Sequence, residues 1–384
     1  MSIKHCYNVM DFRKLAKRRL PRPFWDYLEG SADDGYTFDR NMAAFDDYEI
    51  IPRTLVDVAK IDMTTKVLGQ TLDWPVFLAP TGASRMWHPH AEGGAARAAA
   101  KSGTLYSLST VATTTIEDVA AASEGPKMFQ IYVLRDQGLN AHLIERCKAA
   151  KFSALCLTVD VPNLGNRERD LRNGFSSPPK LTASTLASIA MHPRWLAGFA
   201  RKPDLSFTNI KEWVTTRQVQ ERSTQAYVGA AFDPTVDWDR AAAMIKQWDG
   251  PFAIKGILCV EDARRAVEIG ATAVMISNHG GRQLDGVPAP IDLLGDIADA
   301  VGERIEVIMD SGIRRGTHVF KALARGAKAV AIGRPYLYAL GAGGEPAVDR
   351  MLHLLRLEVR RAMALSGVTS LDEITDDHVR ALRK

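Results

Sequence analysis

Within the stretch SNHGGRQLD, residues 277–285, His279 and Arg282 stand three residues apart around a glycine pair. An imidazole with an ordinary pKa of ~6.5 can take a proton near neutrality. A planar guanidinium matches a carboxylate through two parallel hydrogen bonds. The glycines permit a turn that aims both side chains at one point. Together they suit removal of a proton from an acidic or alcoholic group beside a carboxylate. The bland alternative is a buried histidine and an interface arginine. Asp160 is available to hold the imidazole and stabilise its charged form, its alternative being a turn residue before Pro162. Lys255, in the apolar run AIKG, needs an anionic partner or acts as a Schiff-base amine. DSGIRRG and IGRP add two Gly/Arg pairs, Gly312 with Arg314 and Gly333 with Arg334. Backbone N–H groups exposed at glycine and a guanidinium fork suit a phosphate.

The elements that must position these residues form a repeat. Apolar, β-rich runs at 75–80, 105–109, 128–133, 154–160, 252–257, 273–278, 306–311 and 329–334 read as strands. Most are apolar on both faces, as parallel strands covered on each side are. Helical patterns follow at 90–101, 115–122, 139–151, 237–248, 260–268, 291–301, 317–325 and 345–365. Alternation of this kind predicts the α/β class, a (β/α)8 TIM barrel in one domain over 1–384. Residues 1–74 are expected to form a helical cap across one mouth. The connection after strand 4 is roughly 70 residues longer than its neighbours, an insertion over about 162–236 of the kind used as lid, binding loop or docking segment. Catalytic groups of such barrels gather at the C-terminal strand ends, and phosphate sits after strands 7 and 8. That places Gln130, Tyr132, Thr158, Asp160, Arg167, Lys255, His279, Arg282, Asp310, Arg314 and Arg334 in one mouth. A nucleotide-type cofactor is the natural owner of the phosphate.

Composition excludes several classes. Lys+Arg exceeds Asp+Glu by only 4, which gives no case for nucleic acid. Cys6, Cys147, Cys156 and Cys259 are too scattered for a disulfide framework or a zinc site, and buried reduced thiols are expected. No metal site is expected. The N-terminal stretch lacks a secretory apolar core and no run could span a bilayer, so a cytoplasmic protein is expected, with surface attachment to a membrane left open.

At SNHGGRQLDG the sequence resembles the FMN-dependent L-2-hydroxy acid oxidising enzymes, which include glycolate and lactate oxidases and the bacterial lactate and mandelate dehydrogenases. LPRPFWDYLEGSADD, FLAPTG, LSTVATTTIEDVA, FQIYVLRD, LTVDVPNLGNRERD, IKGI, DSGIRRGTHVFKALA and IGRPYLYAL match in order across nearly the whole chain. The resemblance implies FMN as cofactor and His279 as the base, taking either the Cα or the hydroxyl proton, with Asp160 as its partner. Arg282 and Arg167 would hold the substrate carboxylate, and Tyr27 and Tyr132 would hydrogen-bond carboxylate and hydroxyl. Lys255 would stabilise the reduced ring. Pro80, Thr81 and Gly82 would line the ring edge; Ser109, Gln130, Thr158 and Ser277 would give it polar contacts. Asp310 would meet the ribityl chain; Gly312, Arg314, Gly333 and Arg334 would take the phosphate. Val111 stands where plant glycolate oxidases have tryptophan, and Gly82 where many oxidases have alanine. Both departures favour a dehydrogenase passing electrons to quinone or another acceptor. L-Lactate is the first substrate expected, then L-mandelate, then the peroxide-forming oxidase reading. A Schiff-base aldolase and a non-catalytic flavoprotein are more distant. The mixed apolar and basic stretch 183–202 would dock on a membrane, its alternative being a lid. The resemblance also implies a homotetramer.

Overall fold

The computed structural model describes residues 2–174, 182–201, 203–216 and 232–382, without the side chains at 212 and 214–216. Eight parallel strands close on themselves in chain order. They are β1 (Val76–Thr81), β2 (Tyr106–Ser109), β3 (Lys127–Ile131), β4 (Ala154–Thr158), β5 (Phe252–Ile257), β6 (Ala273–Ile276), β7 (Glu306–Met309) and β8 (Ala329–Ile332). The barrel shuts where Val330 of β8 pairs with Val76 of β1. Helices α1 (Ala91–Lys101), α2 (Ile116–Ala122), α3 (Gln137–Ala149), α4 (Trp238–Trp248), α5 (Val260–Glu268), α6 (Pro290–Val301), α7 (Gly316–Ala324) and α8 (Glu345–Leu365) follow the strands in turn. The expected (β/α)8 barrel is therefore present. One element was not anticipated. Arg334–Gly343 is a helix between β8 and α8, with Pro335 in its first turn.

Alternation along each strand separates two cores. Val76, Leu78, Leu155, Leu157, Val274 and Ile276 face the helices. Phe77, Ala79, Met128, Cys156, Met275 and Ile308 face inward and fill the barrel. Two further residues along, each inward column reaches the C-terminal mouth and changes character. The positions there are Thr81, Ser109, Gln130, Thr158, Lys255, Ser277, Asp310 and Gly333, one per strand.

Residues before β1 serve both mouths rather than one. Helices Val9–Arg19, Arg22–Glu29 and Tyr36–Ala43 include the part that covers the C-terminal mouth. The hairpin Thr65–Val67/Gln70–Leu72 instead plugs the opposite end with Val67, Leu68 and Leu72, and the Leu68 amide donates to Glu306. Tyr48–Ile50 pairs with Val379–Ala381, tying the two ends of the chain together. In the insertion, helices Ala183–Ala190, Pro193–Arg201 and Thr208–Thr216 run over the outside. Trp195 packs on Phe24 and donates to the Met86 carbonyl at 2.8 Å, so the insertion leans on both cap and barrel. Lys202 lies outside the described residues. Cys6, Cys147 and Cys156 are buried thiols, but Cys259 is exposed because it sits just before α5 at the surface.

The cap helix Tyr36–Ala43 begins at Gly35, which has no side chain to cap it. Asp285, far along the chain, supplies the cap by accepting from Gly35, Tyr36 and Thr37 amides at 3.0, 3.1 and 2.7 Å. Asp285→Ala should cost about 2 kcal/mol by leaving the Tyr36 and Thr37 amides without an acceptor, the Gly35 amide keeping the Ala32 carbonyl at 3.0 Å. The expected reading is a thermal midpoint lower by several degrees; an unchanged midpoint would contradict this role.

Candidate active site

His279 follows β6 in a backbone conformation that side chains seldom adopt, φ +58°. The two glycines after it continue the left-handed run at φ +65° and +74°. Gly281 is also demanded by space: a Cβ there would lie 2.6 Å from the Phe38 amide nitrogen. This turn directs the imidazole back over the barrel. Its Nδ1 meets both oxygens of Asp160, at 3.0 and 3.2 Å, and its Nε2 lies 3.4 Å from the Tyr132 hydroxyl. Asp160 and Tyr132 sit two and one residues past the ends of β4 and β3. Burial pulls the His279 pKa down; Asp160 opposes, Lys255 and Arg167 add to the fall, and the net value lies below the ordinary 6.5. Burial also works against the Asp160 charge, but His279 and Lys255 outweigh it and lower its pKa. The pair at neutrality is thus a neutral imidazole backed by a carboxylate.

Two arginines border this pair. Arg282 lies 4.9 Å over the Tyr27 ring and donates from Nη1 to the Tyr27 and Gly30 carbonyls, both at 2.8 Å. Arg167 donates to the Arg282 carbonyl at 3.1 Å and to Gln283 Oε1 at 2.9 Å. Burial, then the neighbouring Arg282 charge, depress the Arg167 pKa. Among the described residues no carboxylate lies within ion-pair distance of either guanidinium. Asp170 lies near both without an ion-pair contact, and two cations so close together can accept an anion such as a carboxylate.

The column ends form the floor. Lys255 is 4% exposed, donates to Ser277 Oγ at 2.9 Å and pairs with Asp310 at 3.4 Å. Burial disfavours its charge, but Asp310 and Asp160 more than compensate and raise its pKa. It is a fixed cation, not a free amine, which argues against Schiff-base chemistry. Ser109 donates to Gln130 Oε1 at 2.7 Å, and Gln130 Nε2 is left buried without a protein partner among the described residues. Arg314 donates from Nη1 to the Ile313 carbonyl at 2.9 Å, while its Nε is buried and likewise unpartnered. Gly312 abuts the Asn41 carbonyl. Gly333 leads into the Arg334–Gly343 helix without a side-chain cap. A Cβ at Gly333 would find Thr81 no nearer than 3.6 Å, so the backbone is open there. Arg334 reaches over the Phe38 ring to the carbonyls of Leu28, Gly280 and Gly30 at 3.1, 2.8 and 2.7 Å. Pro80 and Thr81 end β1, with Gly82 next.

Residues 16–381 match the FMN-dependent dehydrogenase family. The chain belongs to that family. It is 41% identical over 377 residues to a Mycobacterium tuberculosis protein provisionally named L-lactate dehydrogenase, covering 98% of this chain and 89% of that one. It is also 41% identical to glycolate oxidase 1 of Zea mays over 97% of this chain and 95% of the relative. Among solved structures, monotopic (S)-mandelate dehydrogenase superposes with a TM-score of 0.94 at 35% identity, covering 98% of this chain and 100% of that one. As a member of the FMN-dependent dehydrogenases the chain requires FMN, and its residues fit the group. An orphaned amide at Gln130, an orphaned guanidinium N–H at Arg314 and an open, uncapped helix start at Gly333 ask respectively for a polar ring edge and an anion.

Sequence reasoning missed three residues that hold this FMN-dependent dehydrogenase site together. Gln283 donates to the Asp160 and Asn163 carbonyls at 3.0 and 2.9 Å while accepting from Arg167. Asn41 and Asn278 exchange side-chain hydrogen bonds at 2.9 and 2.6 Å, locking cap to β6 loop. Only the adjacency of Gln283 and Asn278 to the His279 motif hinted at them.

Because the neutral imidazole is the basic form, flavin reduction by substrate should rise with pH through a value below about 6.5 and then level off. His279→Gln should abolish this limb and slow reduction about 10²–10⁴-fold while keeping FMN bound. A rate that falls from pH 5 to pH 8 in the native enzyme would overturn the assignment.

Proposed function

We propose that the protein oxidises an L-2-hydroxy acid to the 2-oxo acid, with L-lactate to pyruvate as the first reaction. The observation that carries this is a part-buried His279, braced by Asp160, beside Arg167 and Arg282, neither of which has a carboxylate within ion-pair distance among the described residues. When bound, FMN supplies the two-electron acceptor. Gln130, Thr158, Ser277 and Asp310 would hold its ring and ribityl chain, and Gly312, Arg314, Gly333 and Arg334 its phosphate. Arg282 and Arg167 draw the substrate carboxylate to one side of the mouth. Tyr132 and Tyr27 bond its oxygens, and Nε2 of His279 takes a proton. Asp160 then carries the imidazolium as an ion pair, which keeps the transferred proton in place.

A bulkier acid such as L-mandelate is the second reading, favoured by the small Val111 and Gly82 on the mouth's edge and by the fit to mandelate dehydrogenase. Gly82 also favours a dehydrogenase, with quinone or another acceptor, over an oxidase. Anaerobic addition of L-2-hydroxy acids should bleach the bound flavin, fastest with L-lactate or L-mandelate. On readmission of air the colour should return slowly. Immediate return makes the protein an oxidase, and no bleaching with any acid overturns the reading.

The quinone reading draws on the insertion. No described helix is long and apolar enough to cross a membrane. Leu186 and Leu196, on helices Ala183–Ala190 and Pro193–Arg201, and Met191 between them are nonetheless 52%, 41% and 72% exposed. Arg194 and Arg201 are exposed on the same pair, and Arg22 on the cap beneath. Exposed aliphatics rimmed by cations suit an anionic bilayer surface. The working assembly in this reading is a homotetramer on the inner face of the cell membrane. Changing Leu186, Met191 and Leu196 together to serine should reduce co-sedimentation with anionic lipid vesicles at least about tenfold. Unchanged co-sedimentation places docking elsewhere.

A further inference from the structure

Glu92 is a fully buried carboxylate in the first turn of α1, and no protein cation pairs with it among the described residues. Its site is built instead from neutral donors. Oε1 accepts from the Ser84 amide at 3.0 Å and from the Thr113 amide and hydroxyl at 2.9 and 3.0 Å. Oε2 accepts from the hydroxyls of Thr113 and Thr114 at 2.9 and 2.6 Å. Ser84 belongs to the loop after β1, and Thr113 and Thr114 to the loop after β2. One carboxylate therefore fastens the two loops, at the start of a helix whose dipole favours its charge.

These loops meet at the mouth. The Ala83 amide donates to the Val111 carbonyl at 2.9 Å. A Cβ on Gly82 would lie 2.6 Å from Val111 Cγ2 and 3.0 Å from the Val111 carbonyl oxygen. The wall is thus already closed to within a methyl group, and its width depends on how far apart the loops are held. Arg85 adds a second tie, donating from Nη2 to the Thr113 carbonyl at 2.7 Å. Leaving a buried carboxylate with fewer donors, or its donors without a carboxylate, shifts the loops that carry this wall.

We propose that Glu92 is a positioning residue that sets the gap between Gly82 and Val111, and so the size of 2-hydroxy acid the mouth admits. This rests on the reading that the protein oxidises such acids. Glu92 acts through the two loops that Ser84, Thr113 and Thr114 belong to.

The test compares wild-type and Glu92→Gln holoenzyme, with L-lactate as the small acid and L-mandelate as the bulky one. Gln keeps the shape and removes the charge. Dissociation constants for pyruvate and phenylglyoxylate, read from perturbation of the flavin absorbance without turnover, supply a second measure. The expected result is a change of at least about fivefold in the ratio of KM values for the two acids, and a parallel change in the ratio of dissociation constants. The kcat of the preferred acid should stay within about twofold, with FMN content unchanged. Thr114→Val, which removes one donor, should move both ratios the same way by less, and stands in if the Gln variant does not fold. Ratios unchanged in the folded variants overturn the role of Glu92 and leave the proposed activity intact. Wild-type enzyme that neither acid reduces overturns the activity reading and this inference with it.

Discussion

The two-residue period of a parallel strand governs everything else in this molecule. A closed barrel must fill its interior with alternate side chains, and those are apolar through the lower layers. At the C-terminal mouth the same alternation must present eight more positions, seven side chains and one bare glycine, to one small volume. Here these are Thr81, Ser109, Gln130, Thr158, Lys255, Ser277, Asp310 and Gly333. None is a large aliphatic, so this layer cannot be a core layer. Its charge is tolerated because Lys255 finds Asp310 at 3.4 Å and Ser277 at 2.9 Å. The adjoining Asp160 lies close enough to raise the pKa of Lys255 and to meet His279.

That constraint explains which parts were legible in the sequence. Strand ends, and with them the floor of the site, follow from local apolar runs and parity. The helix pattern between strands is equally local, and 260–268 and 345–365 match Val260–Glu268 and Glu345–Leu365. Arg334–Gly343 escaped because its first residue reads as the end of the run 329–334; Pro335 is at home in a first helical turn. The roles of Asp285, Gln283, Asn41 and Glu92 were illegible for another reason. Asp285 caps a helix about 250 residues upstream in the chain, and Gln283 bonds the loop after β4 from the loop after β6. No period or motif encodes a partner at that separation. The cap was read as serving one mouth because nothing in 65–72 distinguishes a plug from a surface hairpin until Leu68 and Leu72 are seen buried.

Cap, barrel and insertion meet over a wide area, from Arg22 on Ser188 to Lys321 on the Phe45 carbonyl, and some of these junctions lie in the site. Arg282 and Arg334 both donate to the Gly30 carbonyl, and each covers an aromatic ring of the cap, Tyr27 and Phe38. Asn41 holds the loop that carries His279 through Asn278. Trp195 of the insertion rests on Phe24, three residues before Tyr27, and on the loop after β1. The surface proposed to meet lipid therefore stands on the same cap helix that supplies Tyr27.

Charge supplies the last constraint. Arg167, Lys255, Arg282, Arg314 and Arg334 converge on the mouth against Asp160 and Asp310, a surplus of three positive charges. Of the other carboxylates, Glu29 is held by Arg13 at 2.8 Å, and Asp170, whose pKa burial raises, lies near Arg167 and Arg282 outside ion-pair distance. Burial depresses the pKa of Arg167 and of Arg334, and in each case neighbouring arginines depress it further. Such a cluster is destabilised until anions arrive. A phosphate monoester brings about two negative charges and a carboxylate one, which together offset the surplus. The chain's overall balance of +4 conceals this arrangement, because a whole-chain sum does not say where charges gather. On the proposed assignment, a site with this deficit would bind the cofactor phosphate and the substrate carboxylate by the same force, each anion offsetting part of the repulsion among the cations.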